Sequence, residues 1–311
     1  MLIRPLMVRK KSGEKIKHHY IPRFFLKGFT NVRNELYVLD KVQGCVLRSA
    51  KSPKNSFFID DGNSLFSMGG KFEGVEKYYH SIENELAPVL KGLISRTITS
   101  ITSDQMAALE QFVLFTLWRI PSYEGLGRYN YQEFKKKASQ NDLEYLNYWT
   151  KHLHPNEHFK MVRLMLPNIL QFDLQKLQMM PLVHHSGINY LNYRYMVISD
   201  NPVLFSHIPM DMNSTDIPMI FPLSSDCVFL RTTKSERSFS LGAVMNSNLL
   251  LIHQAKRYVA YHDRQTLERM FKWYLRYQSE IGESGFQYLK RMLFREVNMD
   301  SEMEIGAGIL R

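Results

Sequence analysis

Two short polar clusters sit in apolar surroundings: His18-His19-Tyr20-Ile21-Pro22-Arg23-Phe24-Phe25-Leu26 near the start, and Ser199-Asp200-Asn201-Pro202-Val203 far downstream. His19 can shuttle a proton or bind a metal near neutral pH, and Pro22 stiffens the chain that presents it. The neighbouring His18 allows either ring to be the useful one. Asp200 follows a strand-like run, where a loop carboxylate often projects into a cleft, and Asn201-Pro202 fixes a turn behind it. If His19 and Asp200 converge with Asp40, imidazole and carboxylate oxygens could hold a divalent ion such as magnesium or manganese. The ion would activate water against a phosphodiester. Arg23 or Lys41 would then stabilise charge developing on the phosphate. A metal-free version has His19 as general acid or base and Arg23 as phosphate clamp, which suffices for RNA cleavage because the ribose hydroxyl is the nucleophile.

Each cluster also has a purely structural explanation. One of the His18 and His19 rings can cap an element end, and Ser199, Asp200 and Asn201 before Pro202 are ordinary turn formers whose side chains bond nearby backbone. His152, His154 and His158 have metal-like spacing, but Pro155 interrupts the helix that would align them and no cysteine joins them. His184-His185 lies in a turn-like Pro, Gly and Ser setting. There is no Gly-rich phosphate loop ending in Lys-Ser or Lys-Thr, no Gly-x-Ser-x-Gly elbow, no His-Glu-x-x-His helix and no dinucleotide fingerprint. These absences argue against the familiar nucleotide-dependent, hydrolase and metalloprotease classes.

The net charge is +10 over 311 residues, with a pI near 9.4, which favours a polyanionic partner through long-range attraction. Arg4, Arg9, Lys10, Lys11, Lys15 and Lys17 against Glu14 alone make a basic arm of residues 1–17. A second concentration follows Lys256 and Arg257, where Arg264, Arg269, Lys272 and Arg276 alternate with Tyr258, Tyr261, Trp273, Tyr274 and Tyr277. Cations beside stackable rings suit single-stranded nucleic acid. An amphipathic helix with its rings in the core would show the same composition.

The elements that must position these groups are legible in outline. Residues 35–48 read as a hairpin turning at Gly44, and 57–59 as a further strand. Helical spacing runs over 75–94. A second helix follows Ser103 and Asp104, which supply capping chemistry, and stops at Pro121. Residues 128–180 read as two or three helices with breaks at Pro155 and near Pro167. Strands are expected at 193–198, 218–223 and 227–230, a helix at 246–256, a strand at 258–261, and closing helices at 265–277 and 285–294. The fold class is α+β: a predominantly helical single body over 18–298, with a small mixed or antiparallel sheet from N-terminal and central segments. Residues 299–311 read as a frayed tail. Hydrophobic residues make up 44%, enough for a sizeable core. No run approaches the roughly 18 apolar residues of a membrane helix. Cys45 and Cys227 read as small core residues without a disulfide partner, so a reducing cytosol is the expected home.

The motifs His19-Tyr20-Ile21-Pro22 with its aromatic run, Leu36 to Lys41, Ser199-Asp200-Asn201-Pro202, Phe221-Pro222-Leu223-Ser224, and Asn246, Asn248 and Ala255-Lys256-Arg257-Tyr258-Val259 occur in one order. Over residues 18–262 they resemble the domain-of-unknown-function family 4238. The resemblance implies a soluble, mainly microbial protein and carries over no reaction, cofactor or catalytic residue. Arg23 departs from the Gln expected there, which removes any role for a neutral amide at that position.

Two functions of different class follow. One is a hydrolase acting on nucleic acid, a bacterial defence or toxin-like effector, with His19, Asp200 and Asp40 at its centre, Arg23, Lys41, Lys256 and Arg257 on the nucleic acid, and His18, Pro22, Ser199, Asn201 and Pro202 shaping the site. The other is a noncatalytic module for nucleic acid or protein, in which the same clusters pin sheet to helices and the basic surface makes the contacts.

Overall fold

In a computed structural model, the structure describes residues 15–67, 70–98, 102–137, 139–151, 153, 157, 158, 160, 185–191, 194–207, 217–232 and 239–298. The basic arm up to residue 14, the C-terminal tail, His152, His154, His184 and the helices expected over 161–180 lie outside them.

The first histidine cluster forms strand β1 (Lys17–His19). A bend at Tyr20 and Ile21 leads through Pro22 into a short helix, α1 (Arg23–Leu26), which tightens into a 3₁₀ turn at Lys27–Phe29. Helical spacing over that stretch sends Ile21, Phe25, Leu26 and Phe29 fully into the core. There Phe25 stacks on Phe221 at 5.2 Å and meets Phe112 edge-on, so a run of nine residues is anchored at four points. Each such ring or aliphatic chain contributes roughly 2 kcal/mol on leaving water.

The expected hairpin is β2 (Tyr37–Asp40) with β3 (Cys45–Val46), and Gly44 turns it at φ 68°, a value that favours glycine. Next come β4 (Phe58–Asp60), which pairs antiparallel with β1, and a hairpin of β5 (Leu65–Ser67) and β6 (Gly70–Phe72). Helices α2 (Gly74–Ile94), α3 (Ser103–Arg119), α4 (Glu124–Lys137) and α5 (Gln140–Thr150) follow. The cap of α3 is Thr102, not Ser103: its side chain accepts from the Gln105 amide while Gln105 returns the bond, the reciprocal pattern of a capping box. Pro121 ends α3 as expected, passing into a 3₁₀ turn at Pro121–Tyr123.

The second half supplies β7 (His185–Tyr190), β8 (Ile198–Ser199), β9 (Leu204–Phe205), β10 (Met219–Ser224), β11 (Cys227–Thr232), α6 (Leu241–Gln254), β12 (Tyr258–Tyr261) and α7 (Arg264–Asn298). The α+β architecture holds, with two four-stranded antiparallel sheets where one small sheet was expected. Their orders are β7-β11-β10-β9 and β3-β2-β12-β8. The second draws a central strand from the C-terminal region, pairing Tyr258 with Asp40 and Val259 with Ser199. Every residue of β10 and β11 is buried, so the two central strands of this sheet are covered on both faces. The two closing helices are one long helix kinked at Gly282 (φ 56°, ψ −161°). Cys227 is in the core and burial pushes its thiol up to about 12. Cys45 is exposed on its short strand, contrary to the core position expected for it.

Candidate functional site

The structure brings Asp40, Lys41, Asp200, Lys256 and Arg257 to one place, the passage from α6 into β12. Asp200 is buried and spends both carboxylate oxygens on main chain. Its Oδ1 accepts from the Lys256 amide at 2.8 Å, and its Oδ2 from the amides of Arg257 at 2.7 Å and Tyr258 at 2.8 Å. Burial raises its pKa, against the pull of those three amides and of Lys41. Asp40, 1% exposed, accepts through Oδ1 from the amides of Val42 and Gln43 and through Oδ2 from the guanidinium of Arg257 at 3.0 and 3.1 Å. Lys41 turns its ammonium onto the end of α6, donating to the carbonyls of Ile252, His253 and Ala255 at 2.6, 2.9 and 2.7 Å. A cation there satisfies carbonyls that the helix leaves unpaired and meets the negative end of its dipole. Lys256 itself projects to solvent.

The rest of the second cluster serves the same join. The buried hydroxyl of Ser199 donates to the Asn201 carbonyl at 2.7 Å and accepts its amide, closing the turn before Pro202. Gln254 donates to the carbonyls of Asn201 and Val203. Asn248 does likewise one level deeper, accepting from the Val197 amide and donating to the Tyr195 carbonyl.

His18 and His19 lie elsewhere and, as neighbours on a strand, face opposite ways. His18 is 1% exposed. Its Nδ1 accepts from the Asn63 amide at 2.9 Å, which leaves Nε2 as the protonated nitrogen, 3.0 Å from Glu73 Oε2. Ser64 and Lys71 hold the other oxygen of Glu73, and Lys71 also pairs with Asp61. His19 donates from Nε2 to the Lys54 carbonyl at 3.2 Å, since a carbonyl can only accept. Burial, with the nearby charges of Arg23 and Arg119, holds its pKa down to about 4 despite that bond, so the ring is neutral at pH 7 and Nδ1 carries the lone pair. Arg23, Arg119 and Glu83 are the leading charges acting on His19, whereas Asp200 acts on the neighbouring Tyr20. Pro22 is buried and Arg23 is exposed at the start of α1.

Arg119, which the sequence reading did not single out, ties this region together. Only 4% exposed, it donates to the His19 carbonyl at 2.7 Å, pairs with Glu83 and lies over the Tyr79 ring. A single charge ending the largely apolar stretch Phe112 to Trp118 is the signal that could have found it. Beside it opens a cleft of about 580 Å3, lined among others by His18, Tyr20, Asp61, Arg119 and Arg128. Its cations are matched by acids, as in Arg128 with Glu124 and Lys160 with Glu157, each at 2.8 Å, so it is not a basic channel. Among the described residues, no three His, Cys, Asp or Glu side chains are grouped to hold a metal ion.

The outer face of α7 has a different character. Tyr261 and Tyr274 turn into the core, but Trp273 is 51% and Tyr277 40% exposed. With Arg269, Lys272 and Arg276, also exposed, they occupy positions i, i+3, i+4, i+7 and i+8, one stripe of a helix. Three cations thus flank two open rings, and Glu280, paired with Arg276 at 2.7 Å, is the acid at the end of the stripe.

An α+β protein built on two four-stranded antiparallel sheets, with side-chain to main-chain bonds from its polar clusters joining neighbouring segments, is what this geometry defines. The chain belongs to the family described as "Protein of unknown function (DUF4238)", which matches residues 17–265. No curated protein and no solved structure matches the chain. No helix among the described residues is long and apolar enough to cross a membrane.

Proposed function

We propose that this protein binds single-stranded nucleic acid through the outer face of α7. The observation that carries the reading is the exposure of Trp273 and Tyr277 one turn apart, between Arg269, Lys272 and Arg276. Rings left in water on a helix that buries Phe271, Tyr274, Phe286 and Phe294 can stack bases of any sequence, while the cations neutralise phosphates. The net charge of +10 adds long-range attraction. A cytosolic location fits the two free cysteines.

Anisotropy of a labelled single-stranded oligonucleotide tests this. Each base-ring stack is worth about 1–3 kcal/mol, so Trp273→Ala and Tyr277→Ala each raise Kd by about 5- to 150-fold with little change in Tm. Arg269→Ala and Lys272→Ala each flatten the salt dependence by about 0.7 in the log-log slope. Retention by both aromatic variants equal to that of the native protein overturns the proposal.

A hydrolytic reading has one observation in its favour. A neutral His19, with the charge of Arg23 acting on it, supplies a base and a phosphate clamp for metal-free RNA cleavage. Product analysis in the same incubations separates the two: RNA cleavage lost in His19→Gln, with chelator having no effect, establishes it, and intact RNA refutes it.

A further inference from the structure

A second cavity, of about 340 Å3, lies between the end of α6, the part of α7 beyond Gly282 and residues 201–205. Leu204, Leu250 and Phe286 supply apolar wall. Two of its lining side chains each keep a buried polar atom with no hydrogen-bond partner: Oδ1 of Asn201 and Nδ1 of His253. Buried acceptors are rarely left unpaired in folded proteins, and where they are, a water, ion or ligand group commonly belongs. His253 is held in place for such a contact. Its ring stacks on Phe286 at 3.9 Å and 10°, and its Nε2 lies 3.1 Å from Glu283 Oε2. The carboxylate only accepts, so Nε2 carries a proton, and in the Nε2–H tautomer Nδ1 offers a lone pair.

The charges of the cavity point in two directions. Lys290, half-buried, makes no ion pair among the described residues, and burial lowers its pKa. Glu283 lines the same space. One cation and one anion suit a ligand carrying one of each, whereas a phosphate would face a single lysine offset by a carboxylate. An ammonium brings three N–H donors, matching the acceptors that Asn201, His253 and Glu283 supply to the lining.

We propose that this cavity binds an apolar or aromatic α-amino acid as its zwitterion. The ammonium donates to Asn201 Oδ1 and His253 Nδ1, the carboxylate meets Lys290, and the side chain lies against Leu204, Leu250 and Phe286. The site does not depend on nucleic-acid binding by α7, and it gives the turn after Asp200 a second use: Ser199 and Asp200 fix the backbone while the Asn201 side chain remains for the ligand.

Thermal shift and calorimetry on the full chain provide the test, with L-phenylalanine and L-leucine as probes. Phenethylamine lacks the carboxylate, 3-phenylpropionate lacks the ammonium, and adenosine serves as a heteroaromatic control. The expected result is a saturable rise in Tm with an amino acid. Lys290→Met raises its Kd at least tenfold while leaving phenethylamine binding unchanged, and Asn201→Leu loses both ligands. Should Asn201→Leu fail to fold, Lys290→Met alone decides. No response to either amino acid at millimolar concentration, equal binding of 3-phenylpropionate, binding of adenosine alone, or native affinity in Lys290→Met overturns the proposal.

Discussion

Replacing Asp200 by alanine separates a structural carboxylate from a chemical one. In the native protein its two oxygens satisfy three consecutive amides, those of Lys256, Arg257 and Tyr258, at 5% residual exposure. Alanine leaves all three donors without their acceptor in a site too buried for free access of water. Each such orphan costs about 1–3 kcal/mol, and partial hydration from the Lys256 side reduces the sum to about 3–6 kcal/mol. Asparagine keeps one acceptor oxygen but turns an NH2 toward an amide donor, for about 1–3 kcal/mol. Urea unfolding followed by far-UV circular dichroism reads these differences as shifts in midpoint at constant m-value. For a chain of this length the alanine variant should melt roughly 6–12 °C lower, at about 2 °C per kcal/mol, the lower end of the scaling for somewhat smaller domains. An Asp200→Ala protein within 1 kcal/mol of the native one would refute the reasoning and return Asp200 to the list of groups free for chemistry.

Three further outcomes follow from the same geometry. The gap between the ordinary histidine value of 6.5 and about 4 for His19 corresponds to about 3 kcal/mol, reduced to roughly 2 kcal/mol by the residual exposure of the ring. Because the folded value lies below the unfolded one, this stability is complete above pH 6.5 and is lost as pH falls toward 4; His19→Gln should lose correspondingly less on acidification, measured as the difference between the two denaturation curves. Lys41→Met removes three bonds to the last carbonyls of α6 and should cost about 2–3 kcal/mol, with faster amide exchange at the α6–β12 junction as its local signature. Gly282→Ala forces a methyl group into φ 56°, ψ −161°, a region almost confined to glycine, and should cost about 1–3 kcal/mol in thermal unfolding.

Local pattern identified those parts that local physics decides. The hairpin around Gly44, the helix over 75–94, the stop at Pro121 and the strand at 258–261 all follow from periodicity and turn chemistry, and the structure has them where expected. The cap of α3 moved by one residue because Thr102, Ser103 and Asp104 can all accept an amide, and only Thr102 has Gln105 three residues on to close the box. Long-range pairing was not legible. Three residues of β1 carry too little pattern to announce β4 as their partner, and the separation of His18 from His19 onto opposite faces depends on that pairing. The polar clusters were correctly singled out as unusual, yet composition could not tell that Asp40, Lys41 and Asp200 face backbone. Residue types that serve chemistry also serve main-chain satisfaction, and only the location of the partner separates the two uses. Cys45 is exposed because a two-residue strand at a sheet edge has no second layer to cover both of its sides.

The position of β12 inside the sheet β3-β2-β12-β8 has a consequence for how the chain is made. The hairpin of β2 and β3 leaves the ribosome more than two hundred residues before the strand that will lie beside it. At typical rates of 5–20 residues per second, β2 therefore waits on the order of 10 to 40 s with an open hydrogen-bonding edge. During that interval the edge can pair with another nascent chain as readily as with its own. The wait ends only when residues 256–261 emerge and the amides claimed by Asp200, together with the guanidinium claimed by Asp40, arrive in a single segment. Synthesis on a messenger shared by closely spaced ribosomes thus places such open edges near one another, and any factor that slows translation between residues 46 and 258 lengthens the exposure.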